Sequence, residues 1–412
     1  MAGLVLARRL VLGGGDVILL EASDRLGGTV ARQTVAGIKL DAGAESFATR
    51  GGSVAALATA LGLGEDIVTP NPEGAWLQPV SGPAFRLPEN SLLGIPRSPL
   101  ATDVVAIIGA RAAWRAYIET VMPGMIGSKS KTLGELVRRR MGPVVLDRLV
   151  RPVVRGVHSI DPDDLDLDQA IPGMRKALVR NGSLALAVAD LRETSARAGS
   201  AVAGIRGGVY RLVEKLSAEM ERFGVDVRLN ARASALSSDH VMVDGARIDG
   251  IVAGAASGLT DGPGLGTRVI LATLVVDQPL LDAAPRGTGL LVADGVSGIR
   301  ARALTHATAK WEWLAEAAGG KHVLRLSYDE AELPDNELAE VARADAAALL
   351  GVPLPASSIL DFARVEWYRP ARVTQPPDGP PLAGESIAGT GLANVVARSE
   401  ALAGSLLEDS LG

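Results

Sequence analysis

The residues that first suggest chemistry are a glycine and a glutamate near the start of the chain. Gly3 opens a segment with helical periodicity, and Glu21 follows 18 residues later, directly after the apolar run Val17–Leu20. In a dinucleotide-binding unit, an acidic residue about 20 positions beyond a G-x-G-x-x-G turn accepts a hydrogen bond from the ribose. The spacing therefore predicts a nucleotide site with Gly3 as the third glycine and Glu21 at the ribose. By itself, the pattern also fits an ordinary α/β unit.

A complete unit of this kind also has a strand and two further glycines before Gly3. Neither precedes Gly3 in this sequence. Because that turn supplies the backbone N–H groups that hold a pyrophosphate, we expect the working protein to be longer at this end. The alternative is a truncated remnant that binds its cofactor weakly.

Two further motifs extend the nucleotide pattern. Residues 21–28 read E-A-S-D-R-L-G-G and residues 41–47 read D-A-G-A-E-S-F. They resemble the E-x-x-x-R-x-G-G fingerprint, and the element after it, of the FAD-dependent amine oxidase and porphyrinogen oxidase group. The resemblance implies that the arginine brings charge near the pyrophosphate and that the second motif runs beside the flavin ring. The implied FAD contacts are Glu21, Ala22, Arg25, Gly27, Gly28, Gly43, Ala44, Glu45 and Ser46.

The most specific stretch is Arg151–Leu165, which contains R-P-V-V-R-G-V-H-S-I-D-P-D-D-L. It resembles the P-x-x-x-G-V-x-x-x-D-P-x-x-L segment of protoporphyrinogen and coproporphyrinogen oxidases. In that family the position of Gly156 lies against the tetrapyrrole, where a residue without a side chain lets the substrate approach the flavin. Taken alone, Asp161–Asp164 is also a common helix start, and His158 could be a satisfied loop residue.

Two later strands resemble the substrate sheet of the same family. The resemblance implies that Leu291, in the run Gly289–Val292, packs on the macrocycle. Arg325 indicates a clamp for substrate propionates, because guanidinium groups bind carboxylates in a bidentate way. The competing interpretation of Arg325 is an exposed strand arginine. An arginine that some relatives carry on the loop matching Ser91–Gly94 is absent here.

Two segments resemble parts of the family that return to the cofactor. The resemblance implies that backbone near Ala233 holds adenine. The terminal stretch resembles the motif in which a Gly-rich turn precedes a helix whose N-terminus faces the flavin. The positive end of that helix would stabilise an anionic reduced flavin. The implied contacts are Gly384, Glu385, Thr390, Gly391 and Leu392.

Composition limits the remaining possibilities. The 412 residues include no cysteine and four histidines, so disulfides, Cys-ligated metals and thiol catalysis are excluded and a His-based metal site is disfavoured. A formal net charge of -5 disfavours nucleic acid as a partner. Arg8 and Arg9 interrupt what would be the apolar part of a signal peptide, so we expect a cytoplasmic protein.

Between the motifs, apolar residues at helical spacing predict a helical region from residue 96 to about 199. One stripe comprises Val104, Ile107, Ile108, Ala112 and Tyr117, and a second comprises Leu133, Leu136, Val137, Met141, Val144 and Val145. We expect both stripes to be core faces, and a membrane-surface role is left open.

The predicted fold class is α/β. A Rossmann-like FAD-binding domain of the p-hydroxybenzoate hydroxylase and amine oxidase type accompanies a mixed-sheet substrate domain and an inserted helical domain. The predicted limits are 1–50, 200–258 and 366–412 for the FAD domain, 51–95 and 259–365 for the substrate domain, and 96–199 for the helical domain.

The resemblance to the porphyrinogen oxidases of heme synthesis runs in order from Gly3 to Leu406. It implies an FAD-dependent oxidase that converts coproporphyrinogen III to coproporphyrin III, and protoporphyrinogen IX as a second substrate, with O2 giving H2O2. The resemblance also suggests contact with a membrane surface or with ferrochelatase as partners, and it leaves the oligomeric state open. The alternatives are another flavin enzyme, such as an amine oxidase or a carotenoid desaturase, and the truncated remnant.

Overall fold

The computed structural model describes residues 1–158, 160–196, 202–255, 266–329, 334–375 and 379–411. The domain boundaries predicted near 199 and 258 lie outside these residues, and so does Ser159 of the Arg151–Leu165 run. Those boundaries stay a prediction.

Helices dominate the middle and the end of the chain. In order they are α1 Ala2–Leu12, α2 Ser53–Ala60, α3 Thr102–Ile108, α4 Ala110–Tyr117, α5 Leu133–Arg140, α6 Pro143–Val145, α7 Arg151–His158, α8 Leu167–Ala170, α9 Met174–Asn181, α10 Leu184–Ala196, α11 Arg211–Arg222, α12 Ala307–Lys310, α13 Glu312–Ala318, α14 Asp335–Leu350, α15 Glu385–Ala388 and α16 Leu392–Leu411. No helix in the described ranges is long and apolar enough to cross a membrane.

Strands flank the helical region on both sides. They are β1 Ile18–Leu20, β2 Arg32–Val35, β3 Ile38–Asp41, β4 Phe47–Ala48, β5 Ile67–Val68, β6 Trp76–Gln78, β7 Phe85–Arg86, β8 Ser91–Leu92, β9 Ile95–Pro96, β10 Val202–Ile205, β11 Asp226–Arg228, β12 Ala233–Leu236, β13 His240–Val243, β14 Ala246–Asp249, β15 Gly254–Ala255, β16 Gly266–Val276, β17 Gly289–Val292, β18 Ala303–His306, β19 His322–Tyr328, β20 Ile359–Pro370 and β21 Leu382–Ala383.

The parallel strands of the nucleotide-binding part form two separate pieces. Strand β1 pairs with β11, and β15 pairs with β21, both in parallel. Helices α1, α11 and α16 pack against one another and bury Leu4, Leu216 and Val396. Within the described residues no strand joins the two pieces, and residues of β1 and β15 line the same cavity. Both strand pairs therefore contribute to the wall of one cavity.

A seven-stranded mixed sheet forms the other large unit, in the order β20, β16, β19, β18, β17, β6, β7. Because side chains alternate along a strand, Thr305 and Arg325 point to one face while Leu304 and Leu324 point to the other. Helix α14 covers the second face. The first face is thereby left to form the wall of the cavity.

The helices between residues 102 and 196 bury their own core. The predicted stripe from Leu133 to Val145 lies in it, and only Val144 is partly exposed. A fully buried ion pair crosses this core, where the Arg140 Nε donates to Glu119 Oε2 at 3.0 Å. Glu119 also accepts hydrogen bonds from the backbone N–H groups of Leu184 and Ala185, so its charge is fully compensated.

The other predicted stripe is wrong at one end. The chain turns at Gly109, where φ is 81°, and this separates α3 from α4. The break shifts the helical phase, so that Ala113 and Ala116 face the core while Tyr117 is exposed. A stripe counted through Gly109 as one helix therefore places Tyr117 on the wrong face.

Two histidines form a buried pair on the sheet face that packs against α14. His306 Nε2 lies 3.1 Å from His322 Nδ1, and His322 Nε2 lies 3.1 Å from Asp282 Oδ1. Burial, with the neighbouring His322, lowers the pKa of His306 to about 4. Burial also lowers the pKa of His322, although Asp282 opposes that shift.

We expect stability to fall as the pH drops from about 6.5 towards 4. In that pH range His306 is protonated in the unfolded chain but stays neutral in the folded protein. The loss reaches about 3 kcal/mol for a shift of this size. Urea unfolding across this pH range measures it. The His306→Phe variant should show a weaker dependence of the free energy of unfolding on pH. The His240→Phe variant, which changes a more accessible histidine, should keep the native dependence. The same pH dependence in native protein and in His306→Phe would refute the assignment.

Candidate cofactor and substrate site

A cavity of about 2080 Å³ runs between the nucleotide-binding part, the large sheet and the helical region. All but one of the predicted site residues line it. They are Gly3, Glu21, Ala22, Gly27, Gly28, Gly43, Ala44, Glu45, Ser46, Gly156, Ala233, Leu291, Arg325, Gly384, Glu385, Thr390, Gly391 and Leu392. Residues spread over most of the chain are thus brought to one continuous surface.

Two helix N-termini point at this cavity. Helix α1 begins at Ala2 and α16 begins at Leu392, and the first residues of both helices lie on the cavity surface. The first N–H groups of a helix lack intrahelical acceptors and carry a partial positive charge. This end of the cavity is therefore suited to an anionic group such as a diphosphate.

The glycines of the motifs divide into two kinds. Gly28 and Gly391 have φ of +61° and +99°, and a Cβ on either would meet no protein atom within 4 Å. They leave open space on the cavity side. A Cβ on Gly43 would instead lie 2.1 Å from the Thr29 carbonyl oxygen, so Gly43 serves close packing of the protein on itself.

Arg25 is the predicted residue that does not line the cavity. Its Nη1 donates to the Gly28 carbonyl oxygen at 3.0 Å, and its guanidinium carbon lies 5.4 Å from the centre of the Trp367 ring. Trp367 itself lines the cavity, and its Nε1 is 3.4 Å from the Ala42 carbonyl oxygen. Arg25 thus supports the cavity wall through the Gly28 turn and through Trp367.

The end of the cavity beyond β1 combines one carboxylate with apolar walls. Glu21 Oε1 accepts hydrogen bonds from the backbone N–H and the hydroxyl of Ser23, both at 2.8 Å, which orients the carboxylate. Nearby, Ala233, Val241 and Ile248 belong to one small apolar cluster and also line the cavity. The arrangement suits a ribose next to a flat aromatic ring.

A three-residue charge cluster joins the cofactor side to the large sheet. Glu45 accepts from Lys310 Nζ at 2.5 Å and from Arg325 Nη1 at 2.6 Å. Burial alone would raise the pKa of Glu45, but the two cations overcome this and hold it at about 2. Glu45 is therefore ionised at neutral pH, and the cluster has a net positive charge.

The guanidinium of Arg325 is largely committed to protein groups. Besides Glu45, its Nη2 donates to the carbonyl oxygens of Gly43 at 2.9 Å and Ala42 at 3.4 Å. Its Nε is buried and has no protein partner. Arg325 is thus buried rather than an exposed strand arginine, and most of its N–H groups are committed to protein acceptors, which leaves it unable to form a bidentate clamp.

Asp41 anchors the same segment from behind. Its two carboxylate oxygens accept the backbone N–H groups of Val209 and Tyr210 at 3.0 and 2.9 Å. Burial raises the pKa of Asp41 to about 7 despite these donors. The Asp41–Ser46 segment is therefore held between the start of α11 and the large sheet.

Gly156 and Leu291 meet at the far end of the cavity. A Cβ on Gly156 would lie 2.5 Å from Leu291 Cδ2, so the two residues are in direct contact across α7 and β17. Both were predicted to border the tetrapyrrole, and both line the cavity. The Leu291 side chain makes this part of the cavity wall apolar.

The rest of the Arg151–Leu165 run secures α7. Helix α7 ends at His158, so the backbone of His158 is helical and not part of a loop. Residues Asp161–Asp164 form a turn that precedes the N-cap of α8 at Asp166. Asp161 pairs with Arg151 and Arg155; burial opposes its ionisation, but these cations hold its pKa below the usual range. These residues position Gly156 from outside the cavity.

Sequence reasoning missed Lys310, Asp41 and Trp367 as parts of the site. Asp41 belongs to the motif at residues 41–47, but nothing in the spacing of the three residues showed that they converge on Glu45 and its neighbours. The sequence predicted Glu385 as a cofactor contact but did not predict its surroundings. Burial raises the pKa of Glu385, and the positive charge of Arg369 opposes that rise.

The family of the chain follows from its match to known proteins. The model of the flavin containing amine oxidoreductases matches residues 1–256, which is more than half of the chain. The chain belongs to this family. FAD is the cofactor that the family brings to the cavity, and the two helix N-termini and the open space at Gly28 and Gly391 fit it. The predicted fold class and cofactor are thereby confirmed.

Curated relatives carry the name coproporphyrinogen III oxidase. The one from Mycobacterium leprae is 26% identical over 377 residues, covering 85% of this chain and 82% of its own. The one from Staphylococcus aureus is 26% identical over 224 residues, covering 52% of this chain. That match spans about half of the Staphylococcus aureus protein, 48% of its length.

Solved structures share the fold over the whole chain. A candidate protoporphyrinogen oxidase from Exiguobacterium sp. 255-15 superposes with a TM-score of 0.82 at 22% identity, covering 99% of this chain and 97% of that one. A putrescine oxidase variant superposes with a TM-score of 0.64 at 16% identity, covering 99% of this chain and 97% of that one. The arrangement of sheets and helices is that of flavin amine oxidases.

Proposed function

We propose that this protein is an FAD-dependent porphyrinogen oxidase of heme biosynthesis, which converts coproporphyrinogen III to coproporphyrin III. The observation that supports the proposal is that one cavity is lined both by Gly156 and Leu291 and by the residues of the FAD motifs. Protoporphyrinogen IX is the second, slower substrate. O2 accepts the electrons, and each two-electron oxidation releases one H2O2.

The residues proposed to hold FAD follow the length of the cavity. Glu21 receives the ribose, Ala233 lies at the adenine, and the N-termini of α1 and α16 face the phosphates and the flavin. The segment Gly43–Ser46 borders the ring. The remaining proposed contacts are Gly3, Ala22, Gly27, Gly28, Gly384, Glu385, Thr390, Gly391 and Leu392, with Arg25 acting through Gly28 and Trp367.

When bound, FAD would accept a hydride from a methylene bridge carbon of the substrate. Gly156 and Leu291 form the surface on which the macrocycle lies, which excludes water and fixes its distance from the ring. The Arg325 guanidinium brings positive charge to the cavity wall, which favours a substrate carboxylate. The pyrrole nitrogens release the accompanying protons, so the chain needs no dedicated base beside the substrate.

Relatives named coproporphyrinogen III oxidase, from Mycobacterium leprae and Staphylococcus aureus, support the tetracarboxylate as the preferred substrate. Purified protein incubated with FAD should show flavin absorbance and form fluorescent coproporphyrin faster than protoporphyrin, with H2O2 as the second product. The opposite ranking would reverse the preference. Turnover of amines in place of porphyrinogens would refute the proposal, and protein that stays colourless with FAD would favour the truncated remnant.

Gly156→Ala should lower kcat/KM for the porphyrinogen by about 10- to 100-fold, because the added methyl group would clash with the Leu291 side chain and push it into the space proposed for the macrocycle. The flavin spectrum should be unchanged, since the clash is with the Leu291 side chain and not with backbone. Gly404→Ala, on an open part of α16, is the matched control and should behave as native protein. Native kinetics for Gly156→Ala would contradict a substrate at this surface.

Arg325→Gln should raise KM for coproporphyrinogen by about tenfold, because it removes a positive charge from the cavity wall. Lys310→Gln removes the other partner of Glu45, but Lys310 is not among the residues lining the cavity. It should therefore leave KM near the native value. An equal rise in both variants would show that Arg325 acts on the substrate only by positioning Glu45.

A further inference from the structure

Two arginines of the cavity have no part in the contacts described so far. The arginines that line the cavity within the described ranges are Arg50, Arg232, Arg325, Arg369 and Arg372. Arg325 is paired with Glu45. Arg50 and Arg372 have neither an acidic partner nor a hydrogen-bond acceptor among the described residues. Their positive charges are therefore left for an occupant of the cavity.

Arg50 faces the cavity because it continues the alternation of β4. Ala48 and Arg50 line the cavity, whereas Phe47 points the other way and is buried in the core. The turn after Arg50 is fastened to the first turn of α16, where the Ser53 hydroxyl donates to the Ala393 carbonyl oxygen at 2.8 Å. Arg50 is thereby held near the start of α16.

Arg372 reaches the start of the same helix from the segment after β20. Its guanidinium lies against Gly389, in the turn that leads into α16 at Leu392. A Cβ on Gly389 would collide with Arg372 Nη2, so the glycine makes room for the guanidinium. The amide nitrogen of Asn394, in the first turn of α16, would lie 3.8 Å from the same Cβ.

The start of α16 therefore combines two uncompensated guanidinium groups with the unpaired N–H groups of a helix. Gly391 leaves open space at this point of the cavity wall. The N-terminus of α1 also lies on the cavity and can hold the diphosphate of FAD. Arg50 instead follows shortly after the segment Gly43–Ser46, which is proposed to border the flavin ring. These positions match the two arginines with the ring rather than with the diphosphate.

We propose that Arg50 and Arg372 stabilise the negative charge of the reduced flavin ring of FAD. A hydride brings two electrons and one proton to a neutral ring, so the ring gains one negative charge. Two fixed cations beside the ring favour that charge and make the flavin easier to reduce. The inference rests on the placement of FAD under the proposed function, but it does not depend on which substrate is oxidised.

Sulfite titration measures this stabilisation without any substrate. Sulfite donates an electron pair to N5 of the oxidised ring, and the adduct carries a negative charge on the ring. In protein reconstituted with FAD, Arg50→Gln and Arg372→Gln should each raise the sulfite Kd by about tenfold. The reduction potential of the flavin should become more negative in both variants. The Kd of oxidised FAD should stay near the native value, because the oxidised ring is neutral.

Two further variants separate charge from shape. Arg50→Lys keeps the positive charge and should retain most of the native sulfite affinity. Arg9→Gln removes the same charge from an exposed position of α1 that is not among the residues lining the cavity, and it should behave as native protein. Circular dichroism melting should be similar for all variants, since Arg50 and Arg372 are exposed side chains.

Native sulfite affinity and native reduction potential in both glutamine variants would refute the inference. An equal loss in Arg9→Gln would refute it as well, because net charge alone would then explain the effect. Weaker binding of oxidised FAD with unchanged sulfite affinity would assign the arginines to the diphosphate instead. A raised KM for coproporphyrinogen at an unchanged potential would assign them to a substrate carboxylate.

Failure of this inference is separate from failure of the proposed reaction. FAD-loaded protein that shows the sulfite effect but does not oxidise porphyrinogens would overturn the proposed reaction alone. Native protein that takes up no FAD would overturn both the placement of the cofactor and the role of the two arginines.

Discussion

The position of Glu45 between Lys310 and Arg325 is the interaction on which the site depends. Glu45 belongs to the segment after β3, whereas Lys310 ends α12 and Arg325 lies in β19, so the cluster fastens the cofactor side of the cavity to the large sheet. With its pKa held at about 2, Glu45 is ionised at neutral pH. Removing the Glu45 carboxylate would leave Lys310 and Arg325 as two neighbouring cations without the charge that compensates one of them.

The two ends of the cavity recognise their occupants by different physics. The cofactor end presents helix N-termini and backbone, because a diphosphate is best held by N–H groups that the fold already leaves unpaired. The end proposed for the substrate includes Gly156 and Leu291, which contact each other in the cavity wall. Arg325 also lines the cavity, but its guanidinium is bonded mainly to Glu45, Gly43 and Ala42.

Sequence patterns predicted what depends on local spacing. The interval from Gly3 to Glu21 identified a helix and a strand that the structure contains, and the stripe from Leu133 to Val145 identified a core face. The same reasoning placed Tyr117 on a core face, because periodicity cannot register the turn at Gly109 that resets the phase. Arg25 was assigned to the cofactor, but in three dimensions it packs on Trp367.

By itself the sequence indicated the family and the cofactor, through motifs that resemble those of known proteins, and it identified segments that border the cavity. Only the tertiary structure decided how side chains distant in sequence share their charges. Arg325 was a plausible bidentate clamp until the fold placed Glu45 within 2.6 Å of it. Such pairings depend on the approach of β19 to the segment after β3, and no local pattern in either segment encodes that approach.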